Sequence, residues 1–580
     1  MLARFCKLCD KTADTSLVHL QRRYARPASK TIRRTEQPVE EPPLPKDLIP
    51  IITCKRRSFN FYKGQIYRKG EEIPLNSKGW HHQKSKGDHF FIHPRHDKEI
   101  TDESYAAESF EDYNLLPGVC DKLGELNAEK PLEIQKLGIP NIMSGYNTLL
   151  AAETGCGKTI AYLLPLINQV LEWKNIYGRG MNTPLALIIT PTRELAVQIG
   201  IVTKKLSNHL NIKTEIITGG KTKKIMMDPP LRHVDILIGS FGVISKLTTT
   251  QIYSLEYVRH LVLDEADALF HETFEDKLVV FLRRIPIAFM QSFDENGFPK
   301  AAQLTLSSAT MPKRISNILN EFVNVDSLQI CTTKKLHKIM VLQKFMRVST
   351  TKKPEELLKY VKPKVARKEQ MIIFSNTNST CDWMTMFLNE NGVKAVPLNG
   401  TMPLNIRQGK YAEFRSGRSL VLSATNAGSR GLDTVMVNHI LNYEFPLDTA
   451  DYIHRCGRTG RVGSFGECKV TNFISTQIEV KVVRIIERAI RRMRPIPIIN
   501  IQTEPEPMEK MEETTTHTCV FRPDPLIECP GMSAGTPTLD AHVPRKYYEI
   551  VTTMNTDRTS RPCFYYSHCV LVKLNAPRAR

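Results

Sequence analysis

Leu261-Val262-Leu263-Asp264-Glu265-Ala266-Asp267 is an apolar run that ends on acids. Such a run predicts a strand of a parallel sheet whose carboxyl end opens into a ligand crevice. At that end Asp264 is placed to hold Mg²⁺ through its water shell, and Glu265 to orient or deprotonate an attacking water. A strand that merely ends in a solvated acidic turn can spell the same letters. The rest of the chain has to decide between the two.

Upstream, Asn147–Ala151 predicts a second buried strand, and Ala152-Glu153-Thr154-Gly155-Cys156-Gly157-Lys158-Thr159 turns from it into a helix beginning near Ile160. A glycine-rich turn between strand and helix aims the N–H groups of Thr154, Gly155, Cys156 and Gly157 at phosphates. Lys158 can reach the β/γ oxygens, and the Thr159 hydroxyl can ligate Mg²⁺. Ala152 stands where the general phosphate-loop pattern has its first Gly. A phosphate cradle followed by a metal-holding acid at the end of another strand predicts a nucleoside triphosphatase core.

Length and charge bound what this core belongs to. At 580 residues and 66.0 kDa the chain exceeds one ordinary domain. Lys+Arg number 80 against 60 Asp+Glu, a net +20, which favours a polyanionic partner such as nucleic acid or an acidic membrane surface. The 13 cysteines are odd in number and without repeated spacing, which argues against a disulfide framework. Cys6 and Cys9 form a lone CxxC without the second pair that a zinc site needs. No apolar stretch has the length of a membrane span.

With Asp-Glu-Ala-Asp at 264–267, the chain resembles the DEAD-box RNA helicases, and further motifs of that family can be followed along it. Phe110 and the stretch Glu129–Gln135 resemble the family's adenine-reading element, with Gln135 able to donate to and accept from adenine. Leu132 and Ala128 depart from that element. Pro191-Thr192-Arg193-Glu194-Leu195-Ala196-Val197-Gln198 follows the predicted strand Ala186–Thr190, where Thr192 and helix amides can hold an RNA phosphate. For Arg193 a structural ion pair is the alternative. Gly219 and Gly220 resemble a pair where missing side chains let a backbone approach closely. Ser240-Phe241-Gly242-Val243 replaces the family's Thr-Pro-Gly-Arg and lacks its Arg. Ser308-Ala309-Thr310 follows the predicted strand Gln303–Leu306. The resemblance gives Ser308 and Thr310, with Asp267 and His454, the coupling of nucleotide state to domain closure.

From about Met340 the alternation of strand and helix restarts, with strands predicted at Met371–Phe374, Ala395–Leu398, Leu420–Ser423 and Asn438–Tyr443. Ala424–Asp433 resembles a motif that supplies Thr425 to an RNA phosphate and Asp433 to the nucleotide ribose; Asn426 stands in place of the family's Asp. Tyr452–Arg461 matches a motif whose arginines act as fingers, and Arg458 and Arg461 are the candidates. The helix predicted at Glu479–Arg492 turns Val482, Ile485, Ile486 and Ile490 inward and Arg484, Arg488, Arg491 and Arg492 outward.

The ends read differently. Between Met1 and Arg34 nine basic residues meet only Asp10 and Asp14, a composition that resembles a mitochondrial presequence; a plain basic arm is the alternative. A Pro/Glu-rich linker follows at Glu36–Pro45. Arg56, Arg57, Phe59, Phe61, Tyr62 and Lys63 then interleave basic groups with aromatics. This pattern suits stacking on unpaired bases, or equally a small appended sheet with a solvated basic face. Past Pro495 the chain loses periodicity and predicts a disordered tail.

The expected architecture is α/β: two tandem RecA-like (P-loop) domains with parallel sheets. The boundaries are a presequence at 1–35, the basic extension at 36–104, an ATP-binding domain at 105–331, a linker at 332–339, a second helicase domain at 340–495 and a tail at 496–580. The resemblance implies ATP and Mg²⁺ as cofactors, RNA as partner, and a clamp that locally unwinds short duplexes. An ATP-gated RNA clamp with little unwinding, or a DNA-directed motor, are the alternatives. The basic start joined to this core resembles mitochondrial members of the family associated with large ribosomal subunit assembly. That implies ribosomal RNA and large-subunit precursors in the mitochondrial matrix, with nucleus, nucleolus or cytoplasm as alternative locations.

Overall fold

The computed structural model describes residues 49–501, apart from 69, 95–108, 221, 271–273, 289–291, 311–317, 322, 324–327, 334–335, 337–338, 430–433, 435, 462–463 and 465. The expected presequence and Glu36–Pro45 linker, the Cys6/Cys9 pair, Asp433 and the expected tail from residue 502 onward lie outside the described residues.

The described chain opens on three short strands, β1 (Pro50–Cys54), β2 (Phe61–Tyr62) and β3 (His89–Ile92), whose further partners come late in the sequence. Next, β4 (Thr148–Ala151), β5 (Ala186–Thr190), β6 (Thr214–Ile217), β7 (Ile236–Ser240), β8 (His260–Asp264), β9 (Gln303–Ser308) and β10 (Gln329–Thr332) form one parallel sheet in the order β10-β4-β9-β8-β5-β7-β6. Both of its faces are covered, which is why its strands read as unbroken apolar runs. Leu261 and Leu263 of β8 enter one core with Leu187 and Ile189, while Val262 enters the other with Ile188 and Leu150. Helices α1 (Glu133–Met143), α2 (Lys158–Trp173) and α3 (Arg193–Ser207) contribute Ile139, Leu163, Ile167 and Ile199 to that second core.

A second sheet takes β11 (Leu342–Arg347), β12 (Met371–Ser375), β13 (Ala395–Leu398), β14 (Val421–Thr425), β15 (His439–Asn442) and β16 (Lys469–Ile474) in the order β13-β14-β12-β15-β16-β11, all parallel. The order then continues through β3, β1 and β2, now antiparallel. The extension is therefore part of the second sheet, not a sheet of its own. It covers the β11 edge, which would otherwise present unpaired backbone groups.

This placement corrects several expectations. Phe61, Trp80 and Phe90 are wholly buried, against Val482, Val483 and Ile486 of the helix Gln477–Arg491. Phe90 stacks on Phe345 with centroids 4.8 Å apart. Phe61 and Phe90 thus face a core, and Phe61 is no platform for a base; Phe59, Tyr62 and Phe91 are half-buried. Burying a ring of this size stabilises by about 1.5–3 kcal/mol. Arg491, expected outside, has a side chain with 0% exposure, paired at 2.9 Å with an equally buried Glu487. Periodicity within one helix cannot show that a distant segment covers its polar side. The tail begins later than expected, since Ile496 is buried and Ile499 exchanges hydrogen bonds with Thr449. Thr332, assigned to the linker, still pairs with Ala151 in the first sheet.

Candidate functional site

β4 ends at Ala151, and the turn that follows carries Gly155 at φ +81° and Gly157 at φ +90°, in the left-handed region that glycine adopts without strain. Space is equally short there. A Cβ on Gly155 would sit 2.8 Å from Cγ of Arg461, and one on Gly157 2.5 Å from Nε2 of Gln135. Lys158 Nζ donates to the carbonyls of Ala152 (2.6 Å) and Glu153 (2.8 Å), so the ammonium lies over the turn. Cys156 is buried within it, and burial pushes its thiol up. Gln135 accepts from Leu132 N at 2.8 Å and donates to Gly157 O at 3.1 Å, so its amide ties α1 to the phosphate turn. Phe110 is buried among Val119, Leu123 and Ile134.

At the end of β8, Asp264 is buried, which raises its carboxyl above the usual range despite the opposing Ser307 hydroxyl. The Tyr162 hydroxyl donates to Asp264 Oδ2 at 3.0 Å, and the same phenol meets the Thr159 hydroxyl. Glu265 adopts φ +48°, strained for a residue with a side chain. That turn sets its carboxylate 3.7 Å from Arg458 of the second domain.

The two domains meet across this cleft in specific bonds. Asp267 Oδ2 accepts from Thr310 N (3.1 Å) and Thr310 Oγ1 (2.6 Å) in its own domain, and lies 2.9 Å from His454 Nε2 in the other. Thr154 Oγ1 donates to Gly457 O at 2.8 Å, where a Cβ on Gly457 would stand 1.7 Å from that hydroxyl. Arg461 Nε donates to the same carbonyl at 3.1 Å, and Ser308 Oγ bonds Thr310 O. Thr154, Gly155, Gly157, Lys158, Thr159, Asp264, Glu265, Ser308, His454, Arg458 and Arg461 all line one cavity. Phe110, Gln135 and Cys156 do not line it. They lie behind the turn, and Asp433 is outside the described residues.

A second group gathers beyond strand ends. Pro191 and Thr192 follow β5, and Thr192 caps α3 by accepting from Leu195 N at 3.4 Å. The exposed Arg193 approaches Gly219, whose Cβ would be 2.8 Å from Arg193 Nε. The close neighbour at Gly219 is thus the far end of the exposed Arg193 side chain, which can move aside, while Gly220, at φ +104°, faces open space. Thr425 ends β14 and accepts from Gly428 N at 3.3 Å. Asn426, in place of an acid, accepts from Arg455 Nε at 2.6 Å; Asn376 and Asn442 take other N–H groups of that guanidinium. A wholly buried cation is here held by neutral amides, and burial lowers Arg455 to about 10.

Sequence comparison bears on this arrangement. The DEAD/DEAH box helicase family model matches residues 132–318, and the helicase conserved C-terminal domain matches 352–463. The probable ATP-dependent RNA helicase DDX28 of Mus musculus is 34% identical over 464 residues, covering 77% of this chain and 85% of the relative. The chain belongs to the DEAD-box family of ATP-dependent RNA helicases. The probable ATP-dependent RNA helicase DDX28 of Homo sapiens is 32% identical over 459 residues, covering 77% of this chain and 85% of the relative. Among solved structures, Saccharomyces cerevisiae Dbp5 bound to RNA and ADP BeF3 matches with a TM-score of 0.56 at 23% identity, over 66% of this chain and 93% of that one. At that identity the likeness shows the fold, two RecA-like domains with parallel sheets. This helicase is an ATP-hydrolysing enzyme, and the DNA-directed alternative is set aside.

Three contacts in this helicase were not read from its sequence. Tyr162 lies one helical turn after Lys158 and passes for a core aromatic until β8 packs beside it. Glu194 of α3 and Arg407 of the second domain approach to 3.2 Å, side chains 13% and 11% exposed, and join the domains near Thr192. Thr333 donates to Glu153 at 2.7 Å, tying the phosphate turn to the chain that leaves β10. Each pairs residues far apart in sequence, so only the place of Glu194 within the Pro191–Gln198 motif hinted at any of them.

Proposed function

We propose that this helicase closes its two domains around ATP and RNA, grips the strand by phosphate and sugar, and locally separates short duplexes. The single observation that carries the reading is the linkage of nucleotide and closure elements through Asp267, which contacts Thr310 within the first domain and His454 of the second. The chain segments that bring Glu265 and Ser308 to the cavity are thereby bonded to the second domain through His454, so on this reading ATP and RNA favour the same state and each strengthens the other's binding. Lys158 and the turn amides hold the phosphates, Glu265 positions the attacking water, and Arg458 and Arg461 meet charge on the transferred phosphoryl group. Thr159 and Asp264 suit Mg²⁺: both offer hard oxygen atoms to one cavity, and Asp264 is a buried carboxylate next to Lys158. The ion supplies charge neutralisation at the phosphates when bound. Pro191, Thr192, Arg193, Gly219, Gly220 and Thr425 form the RNA side.

Large ribosomal subunit assembly in mitochondria is the setting this reading favours. The nine basic residues of the first 34 support it, as does the exposed Arg56, Arg57 and Lys63 surface of the extension. The test combines chemistry and place. Glu265→Gln should bind ATP yet hardly turn it over, and should hold RNA longer; near-wild-type hydrolysis would remove Glu265 from the reaction. Strand displacement by the wild type distinguishes unwinding from a clamp that only holds. Gradient fractionation of mitochondria should find the protein with large-subunit precursors, and its absence from the organelle would end that part of the proposal.

A further inference from the structure

The second sheet has one face that the catalytic arginines never see. Gln343 of β11 points toward the helix Thr449–Cys456 and accepts from the Tyr452 hydroxyl at 3.0 Å. Its neighbour Lys344 must therefore point out of the opposite face, because successive strand residues alternate. On that face Lys344 pairs in register with Phe91 of β3. Lys344 Nζ stands 5.6 Å from the Phe91 ring centroid, and Lys469 Nζ at the start of β16 stands 5.4 Å from it. Lys364, from the helix Lys353–Ala366, joins them, with its ammonium 3.8 Å from the Tyr360 ring centroid. His89 meets the Phe91 ring edge-on at 5.7 Å.

Three half-buried lysines share this face, and their mutual repulsion adds to burial in pulling Lys344 and Lys364 down from the usual lysine range. The carboxylates in electrostatic reach are engaged elsewhere: Glu356 bonds Lys359 at 3.1 Å, and Glu369 bonds His439 at 2.8 Å. Like charges gathered around a partly exposed ring are costly alone and favourable beside a polyanion. Phosphates spaced along a strand, with a base free to lie on a ring, fit that description. A folded acidic protein surface would have no particular use for the ring.

We propose that Lys344, Lys364, Lys469 and Phe91 form a second RNA-binding surface, outside the cleft, that takes phosphates and one unpaired base of single-stranded RNA. The sheet lies between this surface and the motif that carries Arg458, so a strand must be long enough to leave the cleft and pass round the domain before it engages both. Because β3 comes from the extension, the ring exists only where residues 50–92 have joined the second sheet.

The experiment uses the full chain with a non-hydrolysable ATP analogue and two single-stranded RNAs, one of about 10 nucleotides to fill a single site and one about four times longer. The triple variant Lys344→Gln, Lys364→Gln, Lys469→Gln should bind the short RNA as wild type does and, with ATP in place of the analogue, show the same short-RNA-stimulated ATPase. On the long RNA its salt dependence should flatten, the slope of log K against log salt falling by about 2, since each phosphate contact on a single strand contributes about 0.7. Phe91→Leu should weaken long-RNA binding by about tenfold with an unchanged slope. Should the triple variant fold poorly, Lys469→Gln alone should change the slope by about 0.7. An unchanged slope on long RNA in well-folded variants, or equal losses on short and long RNA, would overturn the proposal and leave the patch to another partner.

Discussion

Replacing Glu487 by Ala tests whether the extension is a structural member of the second domain. The carboxylate accepts from Asn76 N at 2.8 Å, Ser77 N at 3.0 Å and Ser77 Oγ at 2.6 Å, and pairs with Arg491, which also donates to Phe59 O. Removing it leaves a guanidinium with 0% exposure without its counter-ion and two amides of the extension without acceptors. Breaking a buried pair from one side costs about 3–5 kcal/mol. For a domain of this size each kcal/mol moves the melting midpoint by about 2–4 °C, so a fall of roughly 6–20 °C is expected. Calorimetry of the full chain should show the drop in the transition of the second domain, with the first little changed because none of these contacts reaches it. Deleting residues 50–92 should do at least as much damage and promote association, since the β11 edge and one side of the helix Gln477–Arg491 would be laid open. A Glu487→Ala protein that melts within about 2 °C of wild type would refute the reasoning.

Tyr162→Phe removes the hydroxyl that touches both proposed Mg²⁺ ligands. Mn²⁺ binding in the presence of ADP, followed by electron paramagnetic resonance, should weaken on the order of 10- to 100-fold while the melting midpoint holds. Arg458→Lys and Arg461→Lys should each cut single-turnover hydrolysis by on the order of 10³ or more while ATP affinity, read by fluorescent-analogue displacement, changes little; equal losses would indicate a ground-state contact. His260 is bonded to Gln169 and Thr305, and burial holds it at about 3 against an ordinary 6.5. Below about pH 6.5 an unfolded chain takes up a proton that the folded one refuses, so this stability is full above that pH and is lost as pH falls toward 3. At pH 5.5 the first domain should be about 1.3 kcal/mol less stable than at pH 7 on this account. Denaturant titrations at both pH values should show that step in wild type and not in His260→Gln.

Strands and motifs were legible because their signals are local. In a parallel sheet covered on both faces the chain must be apolar at every strand position and polar where it turns, so the runs around Ile188, Val262 and Ile373 announce themselves. A turn proposed to aim amides at phosphate needs glycine at fixed offsets, hence Gly155 and Gly157, and an acid proposed to hold a metal needs a strand end, hence Asp264. None of these depends on what lies across the fold.

What only the tertiary structure decided are the pairings between distant segments. The strand β3 has the same alternation whether it forms a sheet of its own or joins β11, because period 2 reports burial of a face and not the identity of its partner. The same holds for Arg491, which sits on the polar side of its helix by count and becomes buried only because Asn76, Ser77 and Phe59 arrive there. Gln135 lies within a nucleotide-reading motif, yet its amide bonds Leu132 and Gly157, and Phe110 lies in a core. By itself the sequence determined which residues are candidates for the chemistry and on which kind of element each stands. Which of them meet, as Asp267 meets His454 and Lys344 meets Phe91, is set by packing that brings distant residues together, and no local pattern records it.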